Sequence, residues 1–212
     1  EPTARAGIAF HPTSAITLRG AGYIGWRLPT LNELYRPFRA GADVTNANPN
    51  LKPETMRGVE AGADFTPFSG IRFGATLFWN KLEDAIANVT LSTSSTGAAT
   101  RQRQNIDAVR SRGVEVEAEA ALGQWNLLAS YAYTDAKVRA DGVALALNGL
   151  RPSQTPRHTA SATLAWASAP DGFGAAVTGR YVAPQFEDDQ NSRALNDALT
   201  FDANLRLPLV QK

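Results

Sequence analysis

Between Gly70 and Asn80 the apolar side chains Ile71, Phe73, Ala75, Leu77 and Trp79 take every odd position, while Arg72, Thr76 and Asn80 stand on even ones. A strand sends successive side chains to opposite faces, so this segment has one apolar face and one wet face. Val114, Val116, Ala118, Ala120 and Leu122 repeat the pattern against Glu115, Glu117 and Glu119. Alanine and glutamate are individually better helix formers, but a helix scatters the three glutamates around its circumference. A strand collects them in one row, spaced by roughly 7 Å. Periodicity therefore outranks propensity.

The same reading predicts nine strands, over residues 5–11, 15–26, 55–65, 70–81, 112–122, 125–134, 158–167, 173–182 and 198–207. Most have the length, about 9 to 12 residues, that a tilted strand needs to cross a bilayer. Pro12-Thr13-Ser14, Pro67-Phe68-Ser69, Gly123-Gln124 and Ala169-Pro170-Asp171-Gly172 are turn-favouring connections. Between them lie long polar segments, 27–54, 82–111, 135–157 and 183–197, expected as loops. Short turns at one end and long loops at the other are the mark of an outer-membrane barrel. The fold class expected is all-β, an antiparallel transmembrane β-barrel. A soluble all-β binding module, such as a sandwich or propeller, is the alternative, with no reason to keep the short–long alternation.

Mean hydropathy is −0.24, and no apolar run is long enough for a transmembrane helix. A barrel hides its membrane signal because every second residue faces the lumen. Net charge is +1, which leaves no electrostatic case for a nucleic-acid partner. The absence of cysteine excludes a disulfide framework and thiolate chemistry. Phe10, Trp26, Phe65, Phe68, Trp79, Trp125, Tyr133, Trp166 and Tyr181 fall near strand ends, where interfacial aromatic girdles belong. Bacterial single-chain barrels have an even number of strands, so nine strands, with no signal peptide at Glu1-Pro2-Thr3 and no terminal strand at Val210-Gln211-Lys212, read as part of a larger barrel.

Two stretches go beyond architecture. Arg27 to Phe38 contains Pro29-Thr30-Leu31-Asn32-Glu33-Leu34-Tyr35, and Asn48-Pro49-Asn50-Leu51-Lys52-Pro53-Glu54-Thr55 leads through Met56, Arg57, Gly58, Val59 and Glu60 to Gly62. With Asn105, Ser111-Arg112-Gly113-Val114-Glu115, and Leu150-Arg151-Pro152 followed by Pro156-Arg157-His158, they resemble the C-terminal barrel of TonB-dependent outer-membrane receptors. The resemblance covers nearly all of residues 1–212, expected as one partial barrel domain. It implies a location in the outer membrane of a Gram-negative bacterium, a barrel of about 22 strands, and active uptake of a scarce nutrient. That nutrient would be a siderophore-iron complex, cobalamin, haem or a similar chelate. The implied partners are outer-membrane lipid and lipopolysaccharide, an N-terminal plug, the TonB complex and an extracellular small-molecule chelate. A passive porin-like channel shares everything except the motif stretches and the plug.

Physical roles follow for the motif residues. Pro49 and Pro53 stiffen the approach to a strand without entering its ladder, Lys52 and Glu54 are suited to pin the loop base, and Gly113 opens a strand where packing is close. As markers of fold they are not thereby ligand residues. The expected lumen or plug-facing residues are Arg72, Glu60, Asp64, Glu115, Glu117 and Glu119, with Arg19, Arg180, Asp202 and Arg206 on the same grounds. The expected ligand contacts are on loops: Arg101, Arg103 and Arg110, with Arg112 beside them as cations for an anionic chelate, and Tyr35. Glu187, Asp188 and Asp189 offer oxygen ligands, but without the spacing of an EF-hand they read as a solvated loop. His11 and His158 are the only histidines and form no metal motif, and no GxSxG or P-loop occurs. No enzymatic activity, cofactor or metal is expected.

Overall fold

The computed structural model describes residues 2–208; Val210, Gln211 and Lys212 lie outside them. Nine long antiparallel strands form one continuous sheet: β1 (Ala4–Thr13), β2 (Ile16–Arg27), β5 (Glu54–Phe68), β6 (Ile71–Thr93), β7 (Ala99–Leu122), β8 (Trp125–Arg139), β9 (His158–Ala167), β10 (Gly174–Val182) and β13 (Ala198–Arg206). Each pairs with the next in that order, as a meander, leaving β1 and β13 at the open edges among the described residues. The short turns gather at one end. Two of them carry glycine at positive φ, Gly70 at 87° and Gly123 at 62°, a conformation that costs a glycine little.

The apolar set stays outside any core. Phe73, Leu77 and Val116 are 47, 48 and 40% exposed, and the register pairs Leu77 with Val114 and Ala75 with Val116 across β6 and β7. Directly paired residues share a face, so a broad apolar surface covers one side of the sheet. A soluble protein would have to bury such a surface; a barrel turns it to lipid.

Two of the expected loops have a different form. Residues 82–111 are not a loop: β6 and β7 run on past the apolar band and stay paired as far as Thr93 and Ala99, closed by a turn in which Gly97 N–H donates to Ser94 O at 3.0 Å. Gly113 therefore lies in mid-strand, not at a strand start. Residues 27–54 fold into a one-turn helix α1 (Leu31–Tyr35) and a small hairpin, β3 (Phe38–Ala40) and β4 (Asp43–Asn46), whose second strand lies parallel against β7. Beyond β8, a tight helical turn spans Gly142–Leu147, and the 183–197 segment holds a two-stranded ribbon, β11 (Gln185–Phe186) and β12 (Ala194–Leu195). The cluster of buried apolar residues sits at this end. It is built from Ala85, Val89, Ile106, Val138, Ala144 and Leu147, where the projecting hairpin meets the loop after β8.

Candidate functional site

The face opposite the apolar band carries an ionic network. Asp64 on β5 accepts from Arg19 Nε at 2.9 Å and from Arg72 Nη2 at 2.7 Å; Arg72 Nη1 also reaches Glu119 at 2.9 Å and Glu117 at 3.9 Å. Arg19 donates a second bond to Thr76 Oγ1 at 2.7 Å, and Arg5 lies 3.6 Å from Glu60. Arg180 and Asp202 pair at the β10–β13 end. Period two explains the gathering: each member is an even number of residues, along its strand or through the register, from the next. Glu115 stands in the same row as Glu117 and Glu119, and Arg206 in the row of Asp202, donating to Gly172 O and Ala169 O.

At the extracellular end the motif residues form a clasp. Thr30 caps α1 while Glu33 returns a bond to the Thr30 N–H, a capping box. Glu33 also binds Arg27 at 2.8 and 3.1 Å, and Arg27 Nε donates to Glu54 at 2.6 Å. Glu54, nearly buried, takes the Ile86 N–H with its other oxygen at 2.6 Å. Asn105 accepts from Lys52 N–H and donates to the carbonyls of Lys52 and Asp84. Asp84 holds φ at 50°, and asparagine supplies the donor for the carbonyl at this kink and the acceptor for the Lys52 N–H. Thus three separate motif pieces bind the 27–54 segment onto the β6–β7 hairpin.

The Arg27 hydrogen bonds hold the Glu33 carboxyl down at about 2, against the opposing effect of burial and with help from Thr30. Because the folded value lies below the ordinary 4.5, Glu33 contributes stability above that pH and loses it as pH falls toward 2. Amide exchange of residues 28–36, corrected for intrinsic rate, is expected to lose protection across this window in the wild type. In Glu33→Gln it is expected to be weaker throughout and to lack that pH dependence.

A second hub joins distant loops. Asp43 on β4 accepts from Ala99 N–H at 2.9 Å, Arg101 at 3.0 Å and Arg193 at 3.3 Å. Asp189 takes both the N–H and the hydroxyl of Thr90, at 2.8 and 2.7 Å. Asp188 folds its own loop. Burial pushes its carboxyl up, but bonds from Arg193 N–H, the Ser192 hydroxyl and the Ser192 N–H outweigh this and hold it below its ordinary value. Both aspartates of the acidic stretch are thus spent on protein donors.

The four arginines expected together on one loop are dispersed. Arg101 is mostly covered between Asp43 and Asp189. Arg103 clamps the α1 segment through the carbonyls of Asn32 and Arg36. Arg110 and Arg112 lie within β7 on the outward face, Arg112 opposite Trp79. Tyr35 is 67% exposed at the rim. A cavity of about 430 Å³ opens beside the clasp and includes Glu33, Arg103, Arg151 and Asp189 over an apolar floor of Ile106, Val138 and Leu147. Arg151 is not among the contacts the sequence points to; it stacks 4.6 Å over the Phe186 ring, and only the Arg-Pro motif marks it.

An open meander with a lipid-facing apolar band, a charged inner wall and long connections at one end is a segment of an outer-membrane β-barrel. Among the described residues no helix is long and apolar enough to cross a membrane; the strands do. The chain belongs to the TonB-dependent-receptor-like β-barrel family, whose profile matches residues 2–211. It is 29% identical over 160 residues to the iron-regulated outer membrane virulence protein of Vibrio cholerae, covering 71% of this chain and 24% of that protein. To the ferrichrome outer membrane transporter/phage receptor of Escherichia coli it is 36% identical over 107 residues, 49% of this chain and 14% of that one. The copper transporter OprC has the same fold, with a TM-score of 0.73 at 20% identity, over 99% of this chain and 31% of OprC. The chain therefore spans about a quarter of the first of these relatives and less of the second. Its place is the outer membrane of a Gram-negative bacterium.

Proposed function

We propose that this segment is the C-terminal wall of a receptor that takes up a scarce nutrient chelate across the outer membrane, energised through TonB. The observation that carries the proposal is the family match over residues 2–211 joined to an inner wall whose charges converge on Arg72 and Asp64. Relatives named for ferrichrome, vitamin B12 and haemoglobin favour a metal-bearing ligand and do not choose among them. Arg103, Arg151 and Tyr35 at the mouth are the proposed ligand contacts. Arg101, already held by two carboxylates, and Arg110, turned outward, are assigned other work.

The inner row Glu115, Glu117 and Glu119 has charge to spare for a basic plug surface. Substituting all three with Gln in the whole receptor is expected to lower uptake severalfold at unchanged surface expression, and unchanged uptake would remove the row from the mechanism. The function itself is tested by growth of a deletion strain on single sources of siderophore iron, haem or cobalamin. Failure on one source, restored by the gene and not by a TonB-uncoupled copy, is the expected result. Growth equal to wild type on every source would overturn the proposal.

A further inference from the structure

Among the described residues, the arginines that tie the mouth together are of two kinds. Arg27, Arg101 and Arg193 each hold carboxylates. Arg103 and Arg151 hold none, and both line the cavity of about 430 Å³ beside the clasp. Arg103 gives Nη1 to the carbonyls of Asn32 and Arg36 at 2.5 and 2.9 Å, which leaves Nε and Nη2 for another acceptor. Arg151 is fixed at its backbone and by its ring contact. Asn191 accepts from the Arg151 N–H at 3.0 Å and donates to its carbonyl at 2.9 Å, and the Phe186 ring lies 4.6 Å from the guanidinium. Pro152 holds the Arg151 backbone extended. The fork itself meets only the Pro184 carbonyl, at 3.5 Å from Nη1. An arginine so anchored is preorganised for a carboxylate, which takes two parallel N–H donors.

The two acids on this cavity do not compete for these arginines. Glu33 is spent on Arg27 and Thr30, and Asp189 on Thr90. Leu82, Ile106, Val109, Val138 and Leu147 supply an apolar floor. A purely hydrophilic anion leaves that floor unfilled, and a neutral apolar group leaves the guanidinium donors without an acceptor. The pair of features therefore selects an amphipathic anion. The volume is at the lower end of the range for ligand pockets, about 300 to 1,000 Å³, so the cavity takes one arm of a chelate and not the whole. Its lining contains no His, Cys, Met or Tyr, the side chains that ligate haem iron axially. We propose that the transported chelate carries a carboxylate at the base of an apolar arm, with the carboxylate on Arg103 and Arg151 and the arm along Leu82, Ile106 and Val138. The proposal rests on the receptor reading above and narrows its substrate from a metal chelate of any kind to an amphipathic, anionic one.

The test uses the purified whole receptor and gallium trihydroxamate probes that share a desferrioxamine core, its free amine carrying an acetyl, succinyl, octanoyl or octylsuccinyl group. These supply neither feature, the carboxylate alone, the apolar arm alone, or both, without touching the metal's ligands. In isothermal titration calorimetry the octylsuccinyl probe is expected to bind about tenfold more tightly, or better, than either single-feature probe. Arg103→Gln/Arg151→Gln is expected to lose about tenfold for the octylsuccinyl and succinyl probes and nothing for the octanoyl one. Ala87→Phe, which fills the cavity from β6, is expected to weaken the octanoyl and octylsuccinyl probes and spare the succinyl one. Heat-modifiable migration reports that both variants fold. Arg39→Gln, at an exposed arginine outside the cavity, is expected to leave all the affinities unchanged. No binding of the octylsuccinyl probe, equal affinity for every probe, or an octylsuccinyl advantage that survives both variants would each overturn the proposal. The growth assay reports separately. A gene required for one iron source, with a receptor that ranks the probes equally, keeps the receptor reading and removes this one; growth independent of the gene on every source removes the receptor reading whatever the ranking.

Discussion

Gly113→Val is expected to abolish barrel assembly, although it replaces one small apolar residue with another in a strand. Gly113 lies in the middle of β7 on the inner face, opposite Phe78 on one side and Thr134 on the other. A β-carbon there would meet the Tyr133 carbonyl oxygen and stand 2.6 Å from Phe78 Cζ. The ring can turn, but the carbonyl belongs to the β7–β8 ladder and cannot retreat without breaking it. Overpacking commonly costs about 1 to 3 kcal/mol, and a backbone obstruction puts valine at or above the top of that range. Heat-modifiable migration and protease resistance in outer-membrane fractions are the measurements: no folded band for Gly113→Val, a reduced one for Gly113→Ala. Gly25, where an added β-carbon would meet nothing within 4 Å, should accept alanine without loss.

Glu54→Ala is expected to loosen the extracellular clasp and spare the barrel. It leaves the Ile86 N–H without its acceptor and Arg27 with Glu33 alone. A hydrogen bond to a charged group contributes about 1.5 to 3 kcal/mol. The Arg27 bond counts for less, because Arg27 is half exposed. Limited proteolysis is the check: cleavage within residues 27–54 should rise at least several-fold, while melting of the sheet shifts little. Glu54→Gln, which keeps an acceptor for Ile86, should fall between.

The difference between these two outcomes follows from what can be read in the residues. Ile71 to Trp79 and Val114 to Leu122 announce strands because lipid on one side and water on the other impose period two. Past Lys81 and Arg110 the wall leaves the lipid, and Ala85, Val89 and Ile106 pack instead beneath the loop after β8, so the regular period lapses while the backbone pairing of β6 and β7 continues. For that reason residues 82–111 read as a loop and fold as a hairpin. The inner-wall residues are legible from parity alone: Asp64, Arg72 and Glu119 meet because the register brings like faces together. The mouth is not. Asp43 reaches Arg193 across 150 residues of chain, and its meeting with Arg101 depends on a parallel pairing of β4 with β7 that no local pattern encodes. Arg110 reads as a loop residue for the same reason that the hairpin escapes notice; once its strand is known, parity turns it outward.

The lipid-and-water alternation of β6 can be measured directly. The chain contains no cysteine, so single cysteines placed one at a time from Ile71 to Asn80 in the whole receptor, with any cysteines elsewhere removed, report their own surroundings. Odd positions are expected to react with a membrane-soluble maleimide and to be quenched by brominated lipid, and even positions to react with a charged, water-soluble thiosulfonate, switching at every residue. A reactivity pattern repeating every three to four residues, or Phe73 and Leu77 closed to both reagents, would contradict a membrane wall.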